Sequence, residues 1–347
     1  MPAASAYRPD IDGLRAVAVL AVVLFHADAA VLPGGFVGVD VFFVVSGFLI
    51  ARLIEAECMA GVFSFAGFYE RRIRRLIPAL AVVFAVSTGL ALALLSPSQL
   101  EHFAGSLLAA NLLGANIFFW RTSDYFAVAA EWQPLLHTWS LSVEEQFYLL
   151  FPLALVTLRR FGRRNLLAVL CAVACVSLAA AVWGAVQAPV AAFYLLPTRA
   201  WELVLGALIA LAPLPRSRRR AGREATALTG LALIAAATLG VTGPAAAPLA
   251  AILLAAAGTA LLVHAGGCGG HSVATMLAAP PLVALGLASY SLYLWHWPLL
   301  VFARHAAATR DLPPATTAAV VGLALLLALG SWRWVERPFR ARRHATA

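Results

Sequence analysis

Two ionisable residues, Arg15 and His26, interrupt the first apolar segment of the sequence. Their spacing of eleven residues returns both side chains to nearly the same face of a helix, about 16 Å apart along its axis. A histidine can act as a base near neutral pH, and an arginine can hold a phosphate or a carboxylate. The pair is therefore a candidate for intramembrane chemistry. The alternative is that Arg15 snorkels to the cytoplasmic interface and His26 caps the outer end of the helix.

Four arginines are concentrated in the segment FAGFYERRIRRLIP. Arg71, Arg72, Arg74 and Arg75 precede Pro78, and the pattern predicts a short amphipathic helix at the membrane interface. Guanidinium groups this close together can clamp a pyrophosphate or a ribose phosphate through paired hydrogen bonds. The alternative is a positive-inside anchor that binds anionic lipid.

The most polar segment, HTWSLSVEEQFYLLFP, leads directly into an apolar run. His137, Glu144 and Tyr148 would share one face if the helix began early enough, and we expect a functional role for Glu144 or His137. The alternative is a capping box, with Ser142 at the N-cap and Glu145 at the third helical position. That box accounts for only one of the two glutamates.

Further polar residues lie within the second apolar segment. Asp40 could orient His26 or pair with an arginine. Ser46 and Gly47 are small residues that allow helix backbones to approach closely, so packing is the favoured interpretation of Ser46.

Two later segments also carry ionisable groups. Arg199 and Glu202 are one helical turn apart, which favours a pair between them. In SYSLYLWHWPLL, an interfacial aromatic belt explains the tryptophans but not His296. The C-terminal motif WRWVERPFR adds Glu336, Arg337 and Pro338.

The composition places all of these residues in a membrane protein. Of 347 residues, 62% are hydrophobic and 12% are charged, whereas a soluble domain is about 45–50% apolar and about 25% charged. A soluble globular enzyme, a disordered chain and a disulfide scaffold are thereby excluded, and the alternation of an outer-membrane barrel is missing from the sequence. We expect an all-α, polytopic helical bundle. The net charge of +9 indicates cytoplasmic loops rather than nucleic-acid binding, and no metal-ligand motif predicts a metal site.

We expect about ten transmembrane helices of about 20 residues each. They are predicted near residues 13–32, 36–55, 76–96, 140–158, 165–185, 198–213, 225–242, 247–264, 283–303 and 315–335. All the arginine clusters and both termini then lie in the cytoplasm, provided that 97–139 stays outside, with 100–120 as a re-entrant or interfacial segment. The clusters are Arg52 with Arg71, Arg72, Arg74 and Arg75; Arg159, Arg160, Arg163 and Arg164; Arg216, Arg218, Arg219, Arg220 and Arg223; and Arg337, Arg340, Arg342 and Arg343. Residues 1–347 are predicted to form one transmembrane domain without an appended soluble domain.

Seven segments, in order along the chain, together resemble the membrane acyltransferase-3 family, the bacterial O-acyltransferases that modify surface glycans. They are YRPDIDGLRAVAVLAVVLFH, GFVGVDVFFVVSGFLI, FYERRIRRLIPAL, LLHTWSLSVEEQFYLLFP, RAWELVLG, SYSLYLWHWP and ERPFR, and the similarity runs from about Tyr7 to Arg340. The family's first-helix arginine and histidine match Arg15 and His26. Its arginine cluster matches Arg71, Arg72 and Arg75, and its polar segment matches Trp139 to Glu145.

The resemblance implies an acyltransferase (EC 2.3.1.-) in the bacterial inner membrane that moves an acyl group, by default acetyl, from cytoplasmic acyl-CoA to a sugar hydroxyl of a cell-surface or secreted glycan. We expect the arginine cluster, including Arg74, and Arg15 to hold the phosphates of acyl-CoA. His26 would deprotonate the acceptor hydroxyl or be acylated briefly. Glu144, with Asp40 or His137, would orient His26 or stabilise its cationic form. Substrate-binding residues are expected at Trp139, Ser142, Glu145, Tyr148, Glu202 and His296. The expected partners are membrane lipid, acyl-CoA and the glycan, with neither nucleic acid nor metal.

Two alternatives remain. A secondary transporter or flippase would also use intramembrane arginine, histidine and glutamate, although no two-half repeat is visible in the sequence. An acyltransferase acting on a lipid or on a macrolide-type metabolite would share the donor chemistry but not the acceptor.

Overall fold

The computed structural model of the protein describes residues 7–122, 128–215, 217, 219–240, 247–267 and 272–341. No strand forms in these ranges, so the predicted all-helical class is confirmed there. The α-helices are α1 (Pro9–Ala27), α2 (Gly38–Met59), α3 (Phe65–Leu94), α4 (Pro97–Asn111), α5 (Ala115–Thr122), α6 (Thr138–Arg159), α7 (Arg163–Gln187), α8 (Pro189–Tyr194), α9 (Leu196–Leu211), α10 (Arg220–Leu239), α11 (Ala247–Gly266), α12 (Ser272–Leu277), α13 (Pro280–Leu287), α14 (Ser289–Ala307), α15 (Pro314–Gly330) and α16 (Arg337–Ala341). Short 3₁₀ turns form at Gly35–Val37 and Val128–Trp132, and a π-helical turn forms at Ser331–Glu336.

Seven helical segments in the described part of the chain are long and apolar enough to cross a membrane. They are Gly35–Met59, Phe65–Leu94, Thr138–Arg159, Arg163–Gln187, Pro189–Leu211, Pro248–Gly266 and Pro314–Arg340. The other three predicted spans, 13–32, 225–242 and 283–303, overlap α1, α10 and α14, which are long enough but fall outside this group by composition. The total of ten spans therefore stays a prediction.

The arginine-rich segment belongs to a longer helix than the sequence predicts. The predicted short interfacial helix ahead of Pro78 is wrong, because α3 runs without a break from Phe65 to Leu94 and contains Pro78. At about 1.5 Å per residue, its 30 residues exceed the roughly 30 Å of a bilayer core, so the arginine-bearing turns can project beyond it. The described residues of 97–139 include α4, α5, a 3₁₀ turn and the start of α6, and the re-entrant course of 100–120 stays a prediction.

The helices form two compact units, of which the first comprises Met1–Phe63 and Val143–Gly286. Its α2 and α9 pack with their backbones nearly touching. A Cβ at Gly47 would lie 1.8 Å from the carbonyl oxygen of Leu203, and one at Gly206 would lie 2.0 Å from that of Val44. The predicted close approach at Gly47 is confirmed, and the buried polar residues of these two helices are held next to each other as a result.

The second unit comprises Ser64–Ser142 and Leu287–Ala347. Within it, α3 packs against α14, the π-helical turn and α16. The Tyr290 hydroxyl at the start of α14 donates to the Leu76 carbonyl of α3 across 3.0 Å. Further along α14, the Trp297 indole donates to the Gln133 carbonyl at 2.8 Å. These bonds connect α14 both to the arginine-bearing part of α3 and to the chain segment that precedes α6.

Candidate functional site

The first candidate group lies on α1 in the first unit. Arg15 and His26 share this single helix, as predicted from their spacing. The Arg15 guanidinium pairs with the Asp12 carboxylate at 3.0 Å, so it already has an anionic partner in this structure. His26 is buried, with 8% of its surface exposed, in the last turn of the helix, and its ring contacts that of Phe25 at 5.4 Å between centroids.

A charged cluster lies between α2 and α9 of the same unit. The Arg199 guanidinium donates to the Asp40 carboxylate, and its Nε lies 3.2 Å from Glu202 Oε1. It also lies over the rings of Phe43 and Phe193, at 5.5 and 5.6 Å from their centroids. Of the two partners left open for Asp40, His26 or an arginine, the structure shows an arginine. The predicted pair of Arg199 with Glu202 is confirmed.

Glu144 on α6 accepts two hydroxyl hydrogen bonds within the first unit. Ser46 of α2 donates to Glu144 Oε1 at 2.6 Å, and the Tyr148 hydroxyl donates to the same oxygen. The predicted shared face of Glu144 and Tyr148 is therefore confirmed. Ser46 does more than permit packing, since its hydroxyl binds a carboxylate.

The capping box at the start of α6 does not form. The helix begins at Thr138, four residues before Ser142, so Ser142 lies inside the helix. Its hydroxyl instead accepts a hydrogen bond from the Ala115 backbone N–H at 3.2 Å, within the second unit. Glu145 is half-buried one turn further along α6.

Aromatic and hydroxyl side chains surround His137 in the second unit. The ring centroid of His137 lies 5.6 Å from that of Tyr293 and 6.0 Å from that of His296. The Tyr293 hydroxyl bonds the Ser140 hydroxyl at 2.6 Å and donates to the His137 carbonyl at 2.9 Å. Burial lowers the pKa of His137 well below its usual value, His296 lowers it further, and the Leu294 backbone offsets part of the effect. His137 is therefore held neutral.

Neighbouring aromatic residues are also inside the protein. Trp139, Trp295 and Trp297 are all buried. The aromatic-belt interpretation of the two later tryptophans is therefore wrong, since belt residues face the membrane interface.

The α3 arginines lie on the first turns of that helix. Arg71 is exposed, while Arg72, Arg74 and Arg75 are half-buried. Arg74 pairs with Glu70 one turn earlier at 2.6 Å. The 71/75 and 72/75 spacings bring the remaining three side chains onto adjacent parts of one face. Such a face can present several guanidinium groups to one phosphate-bearing ligand.

Sequence reasoning missed a buried network at the C-terminus. Glu336, in the π-helical turn, is fully buried and accepts from the Ser291 hydroxyl. Arg340 Nη2 donates to the other Glu336 oxygen at 2.6 Å. The four-residue spacing of Glu336 and Arg340 was the available signal, because it is the spacing of a helical ion pair.

The predicted residues fall into both units. The first unit contains Arg15, His26, Asp40, Glu144, Glu145, Tyr148 and Glu202, and the second contains Arg71, Arg72, Arg74, Arg75, His137, Trp139, Ser142 and His296. The structure brings together Asp40 with Glu202, Glu144 with Tyr148, and His137 with His296. Arg216, Arg218, Arg342 and Arg343 lie outside the described residues. Among the described residues, no three histidine, cysteine or carboxylate side chains are grouped as metal ligands would be.

Comparisons with known proteins point to one kind of chemistry. A family model described as an acyltransferase domain matches residues 8–333. An O-acetyltransferase, OatA, of Staphylococcus aureus is 32% identical over 360 positions, which cover 97% of this chain and 58% of that protein. BcsY of Komagataeibacter xylinus, named as a membrane-bound transacylase, is 35% identical over 95% of this chain and 82% of its own length. The chain thus spans little more than half of the first relative. No solved structure matches the chain.

Proposed function

The chain belongs to the acyltransferase family, and from that membership we propose that it transfers an acyl group, by default acetyl, from acyl-CoA to a hydroxyl of a glycan. The observation that carries this proposal is the match of the family model to residues 8–333, which include both the buried histidine of α1 and the arginines of α3. The resemblance drawn from seven sequence segments is confirmed by this match.

The α3 arginines are the proposed donor-binding residues. Their side chains range from exposed to half-buried, which suits a ligand that arrives from water. Arg71, Arg72 and Arg75 can each form paired hydrogen bonds with phosphate oxygens of acyl-CoA. Arg74, which pairs with Glu70, contributes positive charge to the same face. A donor role for Arg15 requires that a phosphate replace Asp12 as its partner.

His26 is the proposed base. Its imidazole takes the proton of the acceptor hydroxyl while the hydroxyl oxygen attacks the thioester carbonyl carbon. The carbon–sulfur bond breaks, and the departing thiolate takes the proton back from the imidazolium. The reaction therefore consumes no net proton, and an ester and free CoA result. Burial of His26 keeps water from competing for the thioester.

The remaining groups support this chemistry in proposed roles. Glu144, which binds Ser46 and Tyr148, would stabilise positive charge during the proton transfer. Asp40 is assigned a role in holding α2 against α9 through Arg199 rather than in orienting His26. Acceptor binding is assigned to the polar segment of α6 and to His137 with His296.

We further propose the arrangement in the membrane. The protein would lie in the bacterial inner membrane with about ten spans and both termini in the cytoplasm. Residues 97–139 would then lie on the outer side. The α3 arginines would face the cytoplasm, where acyl-CoA is available.

The test is transfer of label in sealed vesicles that contain the purified full chain. Acetyl-CoA labelled in the acetyl group is supplied on one side and a soluble glycan acceptor on the other. Ester-linked label on the glycan supports the proposal, and hydroxylamine should release it. Label that crosses the membrane without ester formation would indicate a transporter. Label recovered only in a lipid or a small metabolite would assign a different acceptor class.

A further inference from the structure

The C-terminal motif WRWVERPFR has no part in the proposed chemistry, yet it contains a fully buried glutamate. We propose that Arg340 is a further donor-binding residue that recognises the 3′-phosphate of CoA, and that Glu336 and Ser291 are the residues that position it. This inference rests on the proposed function, because it concerns the same donor.

The bonds around Glu336 determine the orientation of Arg340. One carboxylate oxygen of Glu336 accepts from Ser291, and the other accepts from Arg340 Nη2 at 2.6 Å. A buried carboxylate is costly unless it is paired and hydrogen-bonded, and here both oxygens are bonded. Glu336 is fully buried, whereas 30% of the Arg340 side chain is exposed. The carboxylate therefore lies inside the protein and holds the guanidinium at its surface.

The network lies beside the arginines of α3. Two consecutive residues of α14 make the connection: Tyr290 donates to the carbonyl of Leu76, and Ser291 donates to Glu336. Leu76 directly follows Arg75 in α3, and α3 also packs against α16. Arg340 thus lies at the same end of the second unit as the proposed donor-binding face.

We expect CoA to be bound by two groups of cationic side chains, one for each of its anionic groups. Its pyrophosphate and its 3′-phosphate are separate anionic groups on one nucleotide, so a single helix face does not need to bind both. A guanidinium has five N–H donors in a planar fork, and an Nη2 donor of Arg340 binds Glu336. Charge-assisted hydrogen bonds from a preoriented guanidinium are well suited to a phosphate monoester. A π-helical turn, which is frequent at functional sites, places Glu336 before this arginine.

An anionic lipid headgroup presents the same phosphate chemistry. The two sources differ in one respect that can be tested, because only CoA has a 3′-phosphate that can be removed without other change. The probes are therefore acetyl-CoA, its 3′-dephospho form, and nanodiscs with or without phosphatidylglycerol.

The experiment measures KM and kcat of the full chain in nanodiscs with acetyl-CoA and with 3′-dephospho-acetyl-CoA. We expect Arg340→Gln to raise KM for acetyl-CoA about tenfold, as for one lost charge-assisted contact, with little change in kcat. KM for the dephospho donor should not change, because that donor lacks the 3′-phosphate that Arg340 would contact. Arg340→Lys should recover part of the loss, and Glu336→Gln should reproduce it more weakly. Arg164→Gln, which removes an exposed arginine of the first unit, is the matched control.

The outcomes separate this inference from the proposed function. An equal loss with both donors would overturn recognition of the 3′-phosphate. A loss that occurs only in phosphatidylglycerol nanodiscs would assign Arg340 to lipid instead. If Arg75→Gln weakens the binding of acetyl-CoA and Arg340→Gln does not, the inference about Arg340 fails while the proposed function stands. If the folded wild-type chain does not use acetyl-CoA at all, the donor of the proposed function fails as well.

Discussion

Arg199 in the first unit and Arg75 in the second are placed in opposite settings. Arg199 is 3% exposed, pairs with two buried carboxylates and lies over two aromatic rings. Arg75 is half-buried on the first turns of a helix longer than a bilayer core is thick. The first setting neutralises the charge inside the protein, whereas the second leaves part of the side chain accessible to water, as the proposed donor-binding role requires. We therefore expect burial and partners, rather than residue type, to distinguish an arginine that stabilises the fold from one proposed to bind a donor.

Replacing Arg199 should have the largest effect. Arg199→Met leaves Asp40 and Glu202 buried without a counter-charge, and we expect it to lower the free energy of unfolding by about 3–5 kcal/mol. Denaturation in a fixed detergent measures the loss. A triple variant that also contains Asp40→Asn and Glu202→Gln should recover most of the stability. A stable Arg199→Met protein would show that the cluster does not hold α2 against α9.

The matching change in the second unit should affect ligand binding instead. Arg75→Gln is expected to weaken acetyl-CoA binding about tenfold or more, because a charge-assisted contact is lost. Its unfolding midpoint should stay close to that of the wild type. Isothermal titration in nanodiscs gives the dissociation constant. Unchanged affinity together with reduced stability would place Arg75 with Arg199 as a structural residue.

The pH dependence of the free energy of unfolding tests whether His137 is neutral in the folded protein. Burial lowers the pKa of His137, so the folded state keeps it neutral while the unfolded state binds a proton below about pH 6.5. The free energy of unfolding should therefore fall as the pH is lowered from 7 to 5, by up to about 1.4 kcal/mol per pH unit. His137→Phe should reduce this slope. Equal slopes for the variant and the wild type would mean that His137 is not held neutral.

The smallest expected effect concerns the hydroxyl pair on Glu144. Ser46→Ala and Tyr148→Phe should each cost about 1 kcal/mol of stability. Because both hydroxyls donate to one oxygen, the double variant should differ from the sum of the single variants. A double-mutant cycle from unfolding curves measures this coupling. Strict additivity would indicate that the two hydroxyls do not interact through Glu144.

Helical periodicity explains which features could be predicted from the sequence. Arg15 and His26 share a helix, as do Glu144 and Tyr148, because these spacings are local. The capping box at Ser142 is absent because α6 starts four residues earlier than local capping signals indicate. Pro78 does not end α3, in keeping with the tolerance of spanning helices for proline.

Contacts distant in the chain could not be predicted in this way. Asp40 and Arg199 are 159 residues apart, and Ser291 and Glu336 are 45 apart, so neither pair leaves a periodic signal. Each polar residue had several possible partners in the sequence, and helix packing selects among them.

The central claim is that His26 is the base of an acyl transfer, and the most direct test is the rate of label transfer from acetyl-CoA to the glycan by His26→Ala. If His26 is the base, the rate should fall by at least about a hundredfold, while the acetyl-CoA affinity and the unfolding midpoint stay at their wild-type values. His102→Ala, in α4, serves as the matched control and should transfer at the wild-type rate. Transfer by folded His26→Ala at close to the wild-type rate would contradict the account.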